Sequence, residues 1–379
     1  MRICLIYDCL FPHTVGGAER WYRNLAERLA AEGHSVTYVT LRQWNRGTVP
    51  DVPGVEVVAV GPRMSLYTGD RRRILPPLVF GAGVLAHLLR RGRYDVVHTA
   101  SFPYFSLLAA AVVRPVRRFR LVVDWHEVWS REYWRAYLGV IGGSVGWWVQ
   151  QLCARVPHRA FCFSRLHARR LQESGFTGPV TVLEGEYAGP LEPEPAQPAE
   201  PVVVFAGRHI PEKRVPALVR AFARIHAERP ELRLEIYGDG PERPRVLQLV
   251  RELGLDGSVD APGFVDAERV EAALRSAACM VLPSSREGYG LVVLEAAARG
   301  TPSVVVAAPD NAAVELVDEG RNGFVATSAE PDELSAAIAR VLAAGRPLRD
   351  STTEWFRANA HRLSLEASLE TVLESYEAP

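Results

Sequence analysis

Short apolar runs alternate with longer amphipathic stretches along the first half of the chain. The run at residues 3–7 fits a strand that is buried on both faces, and the segment 19–32 places Trp21, Leu25 and Leu29 at helical spacing. Further strands are predicted at residues 35–40, 55–60, 95–99, 121–125 and 160–163. Strands that alternate with helices predict a parallel sheet with helices on both faces.

The same alternation starts again after a proline-rich segment. Residues 189–201 contain five prolines and three acidic residues, a composition typical of a stiff, solvated linker. Strands are predicted beyond it at residues 202–206, 232–237, 259–262, 279–283 and 303–306. A chain of 379 residues is also long for a single core. We therefore predict two α/β domains, residues 1–188 and 189–355, followed by a closing helix.

The chain is neutral as a whole, but its halves differ in charge. It carries 44 basic and 44 acidic side chains, yet residues 1–185 hold 24 arginines against 13 acidic residues, a formal charge of about +11. This diffuse positive charge is a poor fit to nucleic-acid binding. The five cysteines form no C-x-x-C pair. Without a leader-like N-terminus or an apolar run of ~18 residues, the expectation is a cytoplasmic protein with reduced thiols.

The segment SSREGYGLVVLEAAARGT, residues 284–301, carries the most informative chemistry. Glu287 lies on a loop after a predicted strand, where ligands bind in parallel sheets. Gly290 leaves the backbone bare, and the amides of Gly290, Leu291 and Val292 would begin a helix, an arrangement that suits a phosphate. Glu295, eight residues after Glu287, would lie within reach of ribose hydroxyls. A plain strand–loop–helix turn with two solvated glutamates fits the same pattern.

The segment FAGRHIPEKR, residues 205–214, adds two cations after another predicted strand. Arg208 and Lys213 would project from the same sheet edge as Glu287. Lys213 is the only lysine in the chain, which indicates a need for a compact ammonium, such as contact with an inner phosphate oxygen.

Three further loops give weaker signals. Gly16 and Gly17 precede the first helix and suit either phosphate contact or any tight turn. His126 follows the strand at 121–125 and could meet a sugar hydroxyl, although a lone histidine is equally often structural. Gly238 lies in the loop YGDGP, which could admit a flat nucleobase.

This set of motifs resembles the large retaining glycosyltransferase family 4 of GT-B fold. The resemblance covers nearly the whole chain and is strongest over residues 205–324, where FAGRHIPEKR, IYGDGP, APGFV, the 284–301 motif and GRNGFV occur in the family's order. It implies two Rossmann-like, doubly wound domains that face each other across a cleft, with a closing helix of about 356–379 packed on the first domain. The first domain would bind the acceptor and the second the donor.

The resemblance also assigns roles to the candidate residues. Arg208 and Lys213 would hold the donor diphosphate, Glu287 would touch the donor sugar, and Glu295 would bind the ribose. Gly16 and Gly17 would approach the diphosphate from the first domain, and His126 would bond a sugar hydroxyl. No metal or other cofactor is expected, and the chain has no D-x-D motif. The stretch 309–313 departs from the family pattern, since it replaces a usual glycine pair.

The implied reaction moves a hexose from a UDP- or GDP-linked donor to a glycan, lipid-linked or small-molecule acceptor, with retention at the anomeric carbon. A GT-B nucleotide-sugar epimerase and a catalytically silent sugar-nucleotide-binding homologue remain the alternatives. An epimerase would convert the donor without an acceptor, and a silent homologue would bind the donor without turnover.

Peripheral contact with an anionic membrane, on its inner face, is suggested by basic clusters around an apolar stretch. Arginines 71–73 and 90, 91 and 93 flank residues 74–89, and Trp134, Trp147 and Trp148 look exposed. Core helices with solvated arginine ends would give the same pattern.

Overall fold

The chain forms two compact α/β units. The computed structural model describes residues 1–45, 47–48, 50–68, 71–91, 93–193 and 197–377. One unit consists of Met1–Glu184 with Glu366–Pro379, and the other of Gly185–Leu365. The predicted linker at 189–201 includes residues 194–196, and the predicted closing helix includes residues 378–379; both short stretches lie outside the described residues.

The first unit is built on a parallel sheet of seven strands in the order β3-β2-β1-β6-β7-β8-β9. Strand β1 pairs with β2 on one side and β6 on the other, so the strand order reverses direction beside β1. Its strands, together with the antiparallel pair β4–β5, are β1 (Arg2–Ile6), β2 (Ser35–Thr40), β3 (Val55–Ala59), β4 (Tyr67–Thr68), β5 (Arg71–Arg72), β6 (Val96–Ala100), β7 (Arg120–Trp125), β8 (Arg159–Cys162) and β9 (Val180–Val182).

Helices lie between the strands of this unit, and the first of them matches the helix predicted at residues 19–32. They are α1 (Gly17–Ala31), α2 (Leu75–Arg90), α3 (Phe105–Arg117), α4 (Arg131–Ala154) and α5 (Arg165–Glu173). Trp21, Leu25 and Leu29 are buried along α1, and Gly33 ends the helix at φ +80°. Helix α4 changes direction at Gly139, where φ is +76°.

The second unit contains a parallel sheet of six strands in the order β12-β11-β10-β13-β15-β17, with its reversal beside β10. Two short strands, β14 and β16, pair separately. Its strands are β10 (Glu200–Ala206), β11 (Arg233–Tyr237), β12 (Val259–Gly263), β13 (Ala277–Leu282), β14 (Arg286–Glu287), β15 (Ser303–Val306), β16 (Asp310–Asn311) and β17 (Gly323–Ala326).

Helices surround this sheet as well, and a final helix returns to the first unit. They are α6 (Val215–Glu228), α7 (Arg243–Glu252), α8 (Ala267–Ser276), α9 (Leu291–Ala297), α10 (Pro331–Asn359) and α11 (Leu365–Glu377). Trp355 and Phe356 are buried near the end of α10 in the second unit, whereas the stretch from Glu366 groups with the first unit.

The α/β prediction with two doubly wound parallel sheets is confirmed. The central strands β1, β6, β7, β13 and β15 are almost continuously buried, as expected for sheets covered on both faces, whereas β3, β9 and β12 at the sheet edges are only partly buried. All five cysteines are buried thiols. Within the described ranges, no helix is long and apolar enough to cross a membrane.

Candidate active site

The principal candidate residues of the second unit lie where its strand order reverses. Arg208 and Lys213 follow β10, and Glu287 follows β13; these two strands are neighbours in the sheet. The carboxyl ends of the two strands that flank such a reversal form the usual ligand-binding crevice of a doubly wound sheet. The fold therefore brings two distant motifs to one edge.

Lys213 and Glu287 are in direct contact. The Lys213 ammonium ends a short 3₁₀ turn (Pro211–Lys213) and donates a hydrogen bond to Glu287 Oε1. The two side chains are only 18% and 10% exposed, so solvent screens the pair weakly. The only lysine of the chain is thus held by the glutamate that sequence reasoning placed on a separate loop.

Backbone and amide contacts hold these two loops together. Ser285 donates its backbone N–H to Glu212 O at 2.8 Å, which ties the Glu287 loop to the Lys213 turn. Strand β14 pairs with β16, and Asn311 Nδ2 donates to Ser284 O at 3.1 Å and to Val306 O at 2.8 Å. The stretch 309–313, which departs from the family pattern, therefore supports the Glu287 loop.

Glycines at this edge are required by close backbone approach. A Cβ on Gly238, whose φ is +115°, would lie 2.0 Å from Gly207 O. Hydrogen bonds join the same two loops, from Gly207 N to Tyr237 O at 3.0 Å and from His209 N to Asp239 O at 2.9 Å. Gly238 thus supports the Arg208–Lys213 loop, a role that adds to its predicted place beside a nucleobase.

The remaining candidates of this unit lie on the loop after β10 and around the start of α9. Arg208 is exposed, and the described residues offer its guanidinium no hydrogen-bond or ion-pair partner. Gly290 precedes α9 at φ +103°, where a Cβ would lie 2.6 Å from Ala313 Cβ, and Leu291 and Val292 open this seven-residue helix. Glu295 is half-buried further along it.

Sequence reasoning missed His209, which lies between Arg208 and Lys213. Its side chain is fully buried, and burial lowers the pKa of the imidazole despite the nearby carboxylate of Asp239. Neither ring nitrogen has a partner among the described residues. A neutral histidine therefore anchors the loop that carries the two cations.

The first unit places its candidate residues at the carboxyl ends of β1 and β7. Gly16 is extended at φ −168° and precedes α1, and the Glu19 carboxylate lies over it, since a Cβ on Gly16 would be 2.4 Å from Glu19 Oε2. Gly17 has open space around it. His126 stacks on Phe163 with ring centroids 4.2 Å apart, and burial lowers its pKa, so its imidazole is neutral near pH 7.

A buried polar chain that begins at Asp124, two residues before His126, was not predicted. Asp124 accepts hydrogen bonds from Trp21 Nε1 and His98 Nε2, both at 2.7 Å, and the other ring nitrogen of His98 contacts the Tyr376 hydroxyl. Burial alone would raise the pKa of Asp124, but the neighbouring His98 and His126 and the bonds it accepts outweigh burial and lower that pKa. Asp124 is therefore an ionised carboxylate two residues from His126.

Two family models match the chain in succession. The model for Glycosyltransferase Family 4 matches residues 15–185, and the model for glycosyl transferases group 1 matches residues 192–358. The chain belongs to glycosyltransferase family 4. The predicted family and its GT-B fold are thereby confirmed.

Individual relatives agree with this assignment. The MMP alpha-(1->4)-mannosyltransferase of Mycolicibacterium hassiacum is 28% identical over 92% of this chain and 91% of its own length. Other relatives of 30–39% identity match only 37–47% of this chain, and those matches cover 18–40% of their lengths.

Solved structures share the fold. Sucrose-phosphate synthase from Thermosynechococcus elongatus superposes with a TM-score of 0.80 at 22% identity, over 99% of this chain and 98% of that one. Anabaena Alr3699/HepE, solved in complex with UDP, gives a TM-score of 0.75 at 20% identity over the full length of both chains.

Proposed function

We propose that this glycosyltransferase moves a hexose from a UDP- or GDP-linked donor to a hydroxyl of a glycan, lipid-linked or small-molecule acceptor, with retention and without a metal. The observation that carries the proposal is the Lys213–Glu287 ion pair at the carboxyl edge of the second sheet. Two relatives support the donor class, since one is named as a mannosyltransferase and another was solved with UDP.

The donor diphosphate would be held by Lys213 and Arg208. Lys213 offers a compact ammonium with three donors, and Arg208 an exposed guanidinium on the same loop. Backbone contacts with the Gly238 loop fix this loop, so little ordering is needed when the donor binds. Cations in fixed positions stabilise the negative charge that grows on a departing diphosphate.

Glu287 would contact the donor sugar, and Glu295 the ribose. The amides of Gly290, Leu291 and Val292 keep their assignment to the phosphates. In the first unit, Gly16 and Gly17 are assigned to the diphosphate and His126 to a sugar hydroxyl. His126 suits that role as a neutral imidazole, which can both accept and donate a hydrogen bond.

The proposed reaction forms one bond and breaks one at the anomeric carbon. The acceptor oxygen attacks from the face that the diphosphate leaves, the bond to the diphosphate oxygen breaks, and the acceptor proton passes to a phosphate oxygen of the leaving group. The protein's own residues bind, orient and exclude water. We expect this to occur in the cytoplasm.

Thermal unfolding with UDP, GDP and ADP, with and without EDTA, is the first test. A nucleotide at about 100 times its Kd adds about 2.7 kcal/mol of stability. A shift with UDP or GDP that EDTA leaves unchanged supports the donor site and identifies its base. Incubation with the matching UDP- or GDP-hexose and candidate acceptors then gives the product, and proton NMR gives its anomeric configuration.

Three outcomes contradict the proposal. Donor conversion without any acceptor indicates the epimerase, and donor binding without turnover under any acceptor indicates the silent homologue. A product of inverted configuration refutes retention.

A further inference from the structure

The first unit exposes a row of apolar side chains along α4. Ile141, Val145, Trp148 and Leu152 follow one another at intervals of four, three and four residues, which places them on one helix face. Each is between 54% and 83% exposed. The apolar face of a helix in a globular protein normally packs against the core. An exposed apolar face of this kind indicates a site of interaction with another molecule.

Helix α3 carries two further exposed apolar side chains. Val112 and Val116 lie one turn apart on that helix and are 69% and 75% exposed. The ends of α3 and α4 meet in a groove whose lining includes Pro115, Phe119 and Leu152. We call these six side chains and the groove the α3–α4 surface; they are Val112, Val116, Ile141, Val145, Trp148 and Leu152.

Arginines border the α3–α4 surface without acidic residues among them. The groove is lined by Arg114, Arg118 and Arg155. It adjoins a pocket of about 410 Å³, lined by Arg114, Arg120, Arg155 and Arg159 and by no aspartate or glutamate. This pocket lies at the amino-terminal ends of β7 and β8, the sheet edge opposite to Gly16 and His126. It is therefore separate from the proposed donor site.

We propose that the α3–α4 surface docks on an anionic lipid bilayer, with the apolar row in the interface and lipid phosphates among the arginines. An apolar helix face flanked by basic residues is the pattern of interfacial membrane contact, and each arginine near an anionic surface adds attraction. A second copy is a poorer occupant, because the same patch on another protomer supplies no aspartate or glutamate from the groove or the pocket to pair with these arginines. The inference does not depend on the donor sugar.

This surface differs from the one that the sequence suggested. Arg72 is only 10% exposed and pairs with the buried Asp8, and Trp134 is buried against Gln150. Neither can face a bilayer. Of the predicted aromatic residues, Trp148 is exposed and lies in the apolar row.

Co-sedimentation with vesicles tests the inference on the full chain. One set of vesicles contains phosphatidylcholine alone, and the other contains phosphatidylcholine and phosphatidylglycerol in equal parts. We expect binding to the second set at low salt and its loss at high salt. Ile141→Ser with Trp148→Ser should lower binding roughly tenfold or more, and Arg118→Gln and Arg155→Gln about fivefold each.

Matched control variants test whether the loss of binding is specific to the α3–α4 surface or follows from the loss of any exposed apolar or basic side chain. Phe264→Ser removes an 84% exposed aromatic from the second unit, Ile74→Ser removes a 65% exposed residue beside α2, and Arg346→Gln removes an exposed arginine of α10. We expect all three to bind like the wild type, and circular dichroism checks that every variant is folded.

Several outcomes overturn the inference. Folded wild-type protein that does not sediment with phosphatidylglycerol vesicles refutes it, as does an equal loss in the controls. A concentration-dependent dimer that Ile141→Ser with Trp148→Ser abolishes, seen by light scattering, assigns the surface to a second copy. If inorganic phosphate raises the thermal stability of the protein and the protein does not bind vesicles, the arginine pocket is assigned to a soluble phosphate.

Discussion

Replacing Glu287 by glutamine should tighten the binding of a nucleoside diphosphate while it lowers turnover. The Lys213 ammonium is bonded to the Glu287 carboxylate. A diphosphate that reaches Lys213 must share that ammonium with a second anion. Glutamine keeps the shape and the hydrogen-bonding oxygen but removes the charge.

The size of the effect follows from the geometry of two anions on one ammonium. Each N⁺–H···O⁻ bond is about 2.8 Å long and the ammonium is tetrahedral, so the two anionic oxygens lie about 5 Å apart. Their repulsion is about 0.8 kcal/mol in bulk water and about 3 kcal/mol at an effective dielectric constant of about 20. The side chains of Lys213 and Glu287 are 18% and 10% exposed. We therefore expect a repulsion energy between these two values. We expect about tenfold tighter binding, equivalent to about 1.4 kcal/mol.

Isothermal titration calorimetry of the wild type and Glu287→Gln with UDP or GDP measures this difference without a donor sugar. Turnover of the nucleotide sugar is measured in parallel and should fall. Glu271→Gln is the control, since Glu271 forms a 2.8 Å ion pair with Arg299 elsewhere in the same unit. Tenfold weaker nucleotide binding by Glu287→Gln, with the control unchanged, would refute the shared-ammonium reasoning.

Three other substitutions probe the same framework. Lys213→Met should weaken nucleotide binding about 10- to 100-fold and lower turnover as well, because it removes a charge-assisted bond worth about 1.5–3 kcal/mol; calorimetry and donor turnover test both, and unchanged values would exclude Lys213 from the phosphate site. Gly238→Ala should lower the thermal stability by the equivalent of about 2 kcal/mol or more, because its Cβ would lie 2.0 Å from a carbonyl oxygen. Gly254→Ala is its control, since that glycine has φ +66° but open space, and equal losses would show that φ alone matters. Burial, with a smaller contribution from Arg114, lowers the pKa of His158 to about 4. The unfolded chain therefore binds more protons between about pH 6.5 and 4, so the free energy of unfolding falls by about 3 kcal/mol as the pH drops through this window. His158→Gln should flatten that slope in thermal unfolding, and an unchanged slope would assign it to other groups.

The convergence of the second-unit candidate residues was largely predictable because strand ends in a parallel sheet lie together. An apolar run followed by a charged loop indicates the carboxyl end of a strand, and neighbouring strand ends bring such loops together. The motifs around Lys213 and Glu287 could be placed on one edge in this way. Their direct contact could not be predicted, because it depends on the bonds from Ser285 and Asn311 that set the spacing of the two loops.

Long-range polar contacts left no sequence signal. Asp124 and His98 are 26 residues apart, and Tyr376 lies 278 residues beyond His98. Nothing in the local pattern around any of them indicates the others. The buried chain forms because α11 returns to the first sheet, and that return is a property of the whole fold.

The burial of Trp134 has a different cause. The sequence suggests an exposed tryptophan on a long helix, but the chain turns at Gly139, and the second half of α4 runs back past the first. A Cβ on Gly146 would lie 2.5 Å from the Trp134 ring. Glycines that look like weak points of a helix thus create the space in which the indole is buried.

A single lysine in an arginine-rich chain fits the ion pair that it forms. An arginine fork would bond both oxygens of Glu287 and present them a fixed, planar partner. An ammonium makes its bonds one at a time and can hold a carboxylate and a phosphate together. Glu287 would then hold the Lys213 ammonium in position before the donor binds. Once a phosphate oxygen accepts a hydrogen bond from that ammonium, the Glu287 side chain could turn toward the donor sugar. The Lys213–Glu287 pair is thus an arrangement from which both proposed contacts can form by movements of the two side chains.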